Sequence, residues 1–269
     1  MTALGCALLP HPTIPVTIIS CVFPRNESVT SIISKVVNNI SNNILNKKIR
    51  GTTLYKKVGG GPMLTLSNGR QMPQVGLGTW MSYPNEVAAA VRWALDAGYR
   101  LIDTATCYGN EKEIGDVLHE YLSSGKIKRE ELFVTTKLWC THNRPSDIEG
   151  QIKESLAKLQ LDYVDLYLVH MPAAFNHEMT QQDHSVTLEQ VWTGLEAVYE
   201  KGLTKAIGLS NVSIEQVERV QKSAKVKIHN VQVECYLYFP QYELAEVCKK
   251  HNISFTAYGP SWFSWPRQL

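Results

Sequence analysis

Residues 101–138 read LIDTATCYGNEKEIGDVLHEYLSSGKIKREELFVTTKL, and this stretch decides the fold. It opens within a short apolar strand, Arg100–Asp103, that ends on an acid. Ile114, Leu118, Tyr121 and Leu122 then share one face of a helix over about Glu111 to Leu122. A second apolar strand follows at Leu132–Thr136. Two apolar strands joined through an amphipathic helix make a βαβ unit, whose strands run parallel.

The same alternation extends in both directions. Upstream, Leu64-Thr-Leu66 and Gln71-Met72 flank Asn68-Gly69, the pair favoured where a tight hairpin needs positive φ. A strand near Gln74–Leu77 and a helix from about Asn85 to Ala97 follow, with Gly98 as its left-handed stop. Downstream, strands are predicted at Val164–Val169, Ala206–Leu209, Val231–Glu234 and Ile253–Ala257. Helices open on the capping boxes Ser146–Glu149, Thr187–Gln190 and Ser213–Gln216, and a last one runs from about Gln241 to near Asn252. The strands are nearly continuous apolar runs, as in a parallel sheet covered on both faces. The expected fold is α/β, a (β/α)8 TIM-type barrel rather than an open doubly wound sheet. It is expected to be incomplete, with about seven units and with its first and last strands as open edges. The dinucleotide fingerprint GxGxxG is missing, since Gly76-Leu-Gly78 runs on into Thr79 and Trp80.

The chain of 269 residues divides at Met63. Residues 1–62 hold seven Lys and Arg against one acid, Glu27, whereas residues 63–269 hold 20 bases against 24 acids. A mildly acidic body gives no footprint for nucleic acid. Residues 1–62 are expected to be a basic, disordered extension outside the fold. The apolar run Val16–Phe23 is far short of the roughly 20 residues that span a membrane. No basic region precedes it, so a secretory signal is not read. Apolar residues from Val29 to Ile49 near helical spacing leave a mitochondrial targeting helix as the alternative to a cytoplasmic location. Asn26 and Asn39 match the glycosylation pattern, which means little without a secretory context. The six cysteines form no CxxC pair and the histidines no ligand spacing, so neither a disulfide framework nor structural zinc is expected.

In a barrel of this kind, chemistry sits at the C-terminal strand ends. The residues there are Gly78, Thr79 and Trp80; Asp103 and, five residues on, Tyr108; Lys137 and Trp139; His170; Ser210 and Asn211; Gln232; and Tyr258. Taken singly, each has a plain structural reading: Asp103 as a cap, His170 as a core histidine, the tryptophans as packing. Together they can protonate a carbonyl oxygen. A tyrosine hydroxyl titrates near 10, too weak an acid at neutral pH, and a neighbouring ammonium lowers that value. An aspartate holds the ammonium, and a neutral histidine orients the carbonyl. None of these groups supplies a hydride, so a cofactor is implied. A Schiff-base role for Lys137 is the weaker reading, because the Tyr-Lys-Asp-His set has no need for an imine.

These motifs resemble the aldo-keto reductase family. The resemblance runs in order through LTLSNGRQMPQVGLGTW (64–80), LIDTATCYGNEKEIG (101–115), VTTKLW (134–139), LDYVDLYLVHMP (161–172), IGLSN (207–211), NVQVE (230–234) and TAYGP (256–260). It implies NADPH-dependent reduction of aldehydes and ketones. Tyr108 would be the proton donor, Lys137 and Asp103 would tune it, and His170 would position the carbonyl. Ser210, Asn211 and Gln232 would hold the nicotinamide carboxamide, Tyr258 would stack on the ring, and Gly78, Thr79 and Trp80 would border the cofactor. Trp80, Trp139 and His170 would line the substrate pocket. The partner implied is a small carbonyl compound, the protein being a monomer free of nucleic acid and membrane. Two departures stand out. Met171 replaces a tryptophan that many members carry after the histidine. Beyond Pro260 no position matches the stretch that grips the 2′-phosphate, so weak nucleotide binding is expected. The alternative reading is a non-catalytic relative, a truncated product or nucleotide-sensing partner.

Overall fold

The computed structural model describes residues 16–21 and 61–260. The element order is β1 (Val16–Cys21), β2 (Met63–Thr65), β3 (Gln71–Pro73), β4 (Val75–Gly78), α1 (Pro84–Asp96), β5 (Leu101–Asp103), α2 (Glu111–Ser123), β6 (Phe133–Leu138) and α3 (Pro145–Leu159). It continues with β7 (Leu166–Val169), α4 (Leu188–Glu200), β8 (Ile207–Ser210), α5 (Ile214–Ser223), β9 (Asn230–Glu234), α6 (Tyr242–Lys250) and β10 (Ser254–Tyr258). Eight parallel strands close into a barrel in the order β1-β10-β9-β8-β7-β6-β5-β4. This is the expected (β/α)8 architecture, and among the described residues no helix is long and apolar enough to cross a membrane.

The expectation of seven units with two open edges is corrected at one point. β1 lies between β10 and β4, pairing Val16 with Phe255 through Ile19 with Tyr258 on one side. On the other side it pairs Ile18 with Val75 through Cys21 with Gly78. Six residues of the segment expected to lie outside the fold therefore complete the barrel. The physical reason is legible afterwards. Val-Thr-Ile-Ile is a β-branched run between Pro15 and Pro24, suited to a strand buried on both faces. A closed barrel leaves no unpaired edge. The targeting helix, the glycosylation patterns and the segment after Pro260 lie outside the described residues.

Two apolar layers hold the barrel. Inside its lower half, Ile19, Leu101, Phe133, Leu166, Leu168 and Ala206 pack with Leu64, Leu66 and Met72 of the β2–β3 hairpin, which plugs the N-terminal end. A larger layer fills the space between strands and helices, with Val91, Leu118, Ile152, Trp192 and Val217 buried in it. Gly76 admits this packing, since a Cβ there would collide with the side chains of Leu101 and Ile19. Asp165, 2% exposed as a side chain, pins the plug by accepting from Arg70 at 3.0 Å, Arg129 at 2.7 Å and the Val134 N–H at 3.0 Å. The hairpin turn then has its Gly69 at φ +86.

Local signals held at most helix ends. Thr187 and Ser213 form the expected capping boxes with Gln190 and Gln216. Ser146 does not cap. Arg144 takes the N-cap, Pro145 the first helical position, and the Ser146 hydroxyl turns to Asp147 at 2.8 Å. The fixed φ of Pro145 starts the helix two residues early.

Ile19 is 2% exposed. Ile19→Ala should lower stability by about 2–4 kcal/mol, seen as an earlier urea midpoint. An unchanged midpoint would show that β1 does not close the barrel.

Candidate active site

The C-terminal mouth collects the expected residues. Asp103 ends β5, Lys137 lies on β6, Ser210 ends β8, Gln232 lies on β9 and Tyr258 ends β10. His170 follows β7, its N–H donating to Leu138 C=O at 3.0 Å. Tyr108 closes a short 3-10 turn, Thr106–Tyr108, stopped by Gly109 at φ 68.

Lys137 is the hub, with its side chain 1% exposed. Its ammonium donates to Asp103 Oδ1, to the Thr104 carbonyl at 2.9 Å and to the Tyr108 hydroxyl at 3.3 Å. All three donors of the ammonium are thereby used. The second carboxylate oxygen, Asp103 Oδ2, accepts from Gln232 Nε2 at 2.8 Å. Tyr108 and Trp139 both meet the His170 ring edge-on, at centroid distances of 5.7 and 5.1 Å. Asp103, Lys137, Tyr108 and His170 are thus brought into one cluster.

The remaining expected residues sit around it. Thr79 donates from its N–H and hydroxyl to Asp103 C=O at 3.0 and 3.1 Å, beside buried Gly78. Trp80 lies on the rim, 42% exposed. The backbone N–H of Trp139 donates to Gln151 Oε1 at 2.6 Å. Asn211, at φ +57, donates to His170 C=O at 2.9 Å and accepts from the Tyr258 hydroxyl at 2.7 Å. Its Nδ2 also lies 3.2 Å from Ser210 Oγ. Among the described residues no group of three His, Cys, Asp or Glu is placed to hold a metal ion.

Sequence reasoning missed two neighbours. Cys107 Sγ lies 3.5 Å from His170 Nδ1, and only its place beside Tyr108 could have suggested it. Asn110 donates to Thr79 C=O at 2.9 Å and Ser82 C=O at 3.1 Å, tying the loop after β4 to the start of α2. Hydrogen bonds across such loops leave no periodic trace in a sequence.

The electrostatics differ between members. For Lys137, burial works against the charge, but Asp103 and Tyr108 outweigh it and lift it above the ordinary lysine value. For Tyr108, burial raises the hydroxyl above its ordinary value although Lys137 pulls the other way. The expected lowering by Lys137 is present, yet burial is the larger effect. His170 is pushed down to about 3, by burial first and by the Lys137 charge second. At neutral pH the cluster therefore offers a protonated phenol beside an ammonium and an uncharged imidazole.

Comparison with known proteins agrees with this picture. The model of the Aldo/keto reductase family matches residues 74–263. Aldo-keto reductase family 1 member A1 of Rattus norvegicus is 46% identical over 205 residues, covering 72% of this chain and 63% of its own length. Its counterpart in Bos taurus is 45% identical over 207 residues, covering 73% and 64%. The chain thus spans somewhat under two thirds of the relatives it matches. Among solved structures, the aldose reductase from Schistosoma japonicum superposes with a TM-score of 0.71 at 38% identity, covering 76% of this chain and 72% of that one. The Bombyx mori aldo-keto reductase in complex with NADP gives 0.72 at 34% identity, covering 77% and 69%. With its barrel, its clustered strand-end residues and a family match over most of its length, the chain belongs to the aldo/keto reductase family.

Proposed function

We propose that the protein reduces aldehydes and ketones to alcohols with NADPH, Tyr108 donating the proton. The observation that carries this reading is the Lys137 ammonium held between Asp103 and the Tyr108 hydroxyl. The residues fit a nicotinamide. Ser210 and Gln232 stand opposite each other in register, offering hydroxyl and amide groups, with Asn211 next to Ser210 and the half-buried Tyr258 two strands from it. The cofactor, when bound, supplies the hydride to the carbonyl carbon.

The chain's own groups handle the oxygen. His170, uncharged, orients the carbonyl oxygen toward the Tyr108 hydroxyl without competing for the proton. Trp80 and Trp139 line the pocket and exclude water from it. As negative charge grows on the oxygen, Tyr108 releases its proton to it. Lys137 stabilises the phenolate left behind, and an ionic partner already in place costs no reorganisation. Asp103 keeps Lys137 charged and aimed, and Gln232 fixes Asp103 in turn. The non-catalytic reading rested on a missing eighth unit, and β1 supplies a strand in that place.

Tyr108→Phe should lower kcat for an aromatic aldehyde by at least about 100-fold, followed by loss of NADPH absorbance, with the folded state retained by circular dichroism. A folded variant that keeps the parent rate would remove the proton donor role.

His170 makes a second prediction. Its folded value near 3 lies below the ordinary value of about 6.5, so between those limits the unfolded chain binds a proton that the folded chain does not. Stability contributed this way is present above that window and lost as pH falls through it. His170→Gln should flatten the acid loss of stability, and the rate profile of the parent should show no His170 inflection near 6.5. An inflection there that disappears in His170→Gln would contradict a neutral imidazole.

A further inference from the structure

Behind the cluster lies a buried carboxyl that the proposed reaction does not use. Glu111, the first residue of α2, is 2% exposed. Thr136 Oγ1 is 2.6 Å from its Oε1, and Ser155 Oγ is 3.0 Å from its Oε2. Ser155 Oγ is in turn 3.0 Å from Thr106 Oγ1, and Thr106 Oγ1 donates to Lys137 C=O at 3.1 Å.

A hydroxyl has one proton to give. Thr136, Ser155 and Thr106 together hold three, but the network has four contacts. With an ionised Glu111, both Thr136 and Ser155 point at the carboxylate, and the one Thr106 proton goes either to Ser155 or to Lys137 C=O. One of those two contacts then holds no proton. A protonated carboxyl supplies the missing one. Its O–H points to Ser155, Ser155 to Thr106, and Thr106 to Lys137 C=O, while Thr136 donates to the other oxygen.

We infer that Glu111 is held as a neutral carboxylic acid and heads a one-way hydrogen-bond chain, through Ser155 and Thr106, to the backbone carbonyl of Lys137. The surroundings agree. Burial raises the carboxyl above its ordinary value, partly offset by Thr136, Ser155 and Lys158 and reinforced by Glu154. The other titratable groups facing this pocket are Tyr167 on β7 and Cys107 in the turn, both uncharged at neutral pH. Lys137 points to the far side of β6, toward Asp103.

The chain has a position to hold. Thr106 opens the turn that ends on Tyr108, so its bond to Lys137 C=O fixes that turn against β6. A second tether between them is the longer 3.3 Å contact from Lys137 Nζ to the Tyr108 hydroxyl. Glu111 is therefore a positioning residue, and this role rests on the proposed part played by Tyr108.

Glu111→Gln tests the neutral form, because an amide accepts from Thr136 and donates to Ser155 as the acid does. Glu111→Leu removes both contacts. The infrared carbonyl band of a protonated carboxyl should be present in the parent at neutral pH and missing from Glu111→Gln. Glu111→Leu should lower kcat by about 10- to 100-fold with little change in KM for the nucleotide, and Glu111→Gln should recover most of that loss. An absent band, or a Gln variant as slow as the Leu variant, would overturn the inference. Should Glu111→Leu fail to fold, the band and the Gln variant still decide. Tyr108→Phe run alongside separates the two claims: if it keeps its rate, the proton donor reading fails while the band still reports on Glu111.

Discussion

A fully buried ammonium is the constraint around which the upper half of this barrel is arranged. Taking a charge out of water costs several kcal/mol, on the order of what the whole fold is worth, unless paired and hydrogen-bonded. Lys137 meets that condition with every donor placed: on Asp103 from the neighbouring strand, on the Thr104 carbonyl and on Tyr108. Asp103 is tied in turn by Gln232 from β9, on the other side of the barrel interior. The hub therefore binds β5, β6 and β9 together, and it needs a closed barrel to keep water out. Structure and chemistry share one requirement here, since the group that would stabilise a phenolate is also the one that could not be buried alone.

Much of the fold was legible because its signals are local. A βα repeat shows itself as apolar runs alternating with helical stripes, and capping residues such as Thr187 and Ser213 mark helix starts by their own hydrogen bonds. Where a second local preference competes, the reading slips, as at Ser146 beside Pro145. β1 was missed for a different reason. Composition assigned the first 62 residues to one class, and six strand residues are outvoted in such an average. A short β-branched run between prolines reads the same whether it is free or paired on both sides. Only the neighbouring strands distinguish the cases, and they lie more than 50 residues away in sequence.

The site was legible to the depth at which residues touch the mouth. Asp103, Tyr108, Lys137 and His170 stand at strand ends or one turn beyond, so the barrel pattern alone places them near each other. The layer behind was not legible. Thr106, Ser155 and Thr136 are common residues, and nothing in a sequence separates a serine that links two buried hydrogen bonds from one that merely fills a helix. Glu111 reads as an ordinary acid in the first turn of a helix, favourable to its dipole. Its burial by α3 and its contact with Thr136 come from tertiary packing.

The position of β1 also shows which part of this architecture depends on chain order. The closing strand lies outside residues 74–263, the region that matches the family. What the gap between β10 and β4 requires is a parallel ladder on both sides and apolar side chains to either face. Ladder hydrogen bonds come from the backbone and are indifferent to where in the chain a strand originates. Register and facing are not indifferent, because a shift of one residue would turn every side chain to the opposite face. Here the register sets Ile19 opposite Gly76, where a Cβ would collide with its side chain. The glycine on β4 and the isoleucine on β1 thus form a matched pair between the first two barrel strands in chain order. The strand runs parallel to its neighbours, so Cys21 finishes at the same mouth as Gly78. The C-terminal end of the closing strand therefore lies on the side where Lys137 and Tyr108 are held.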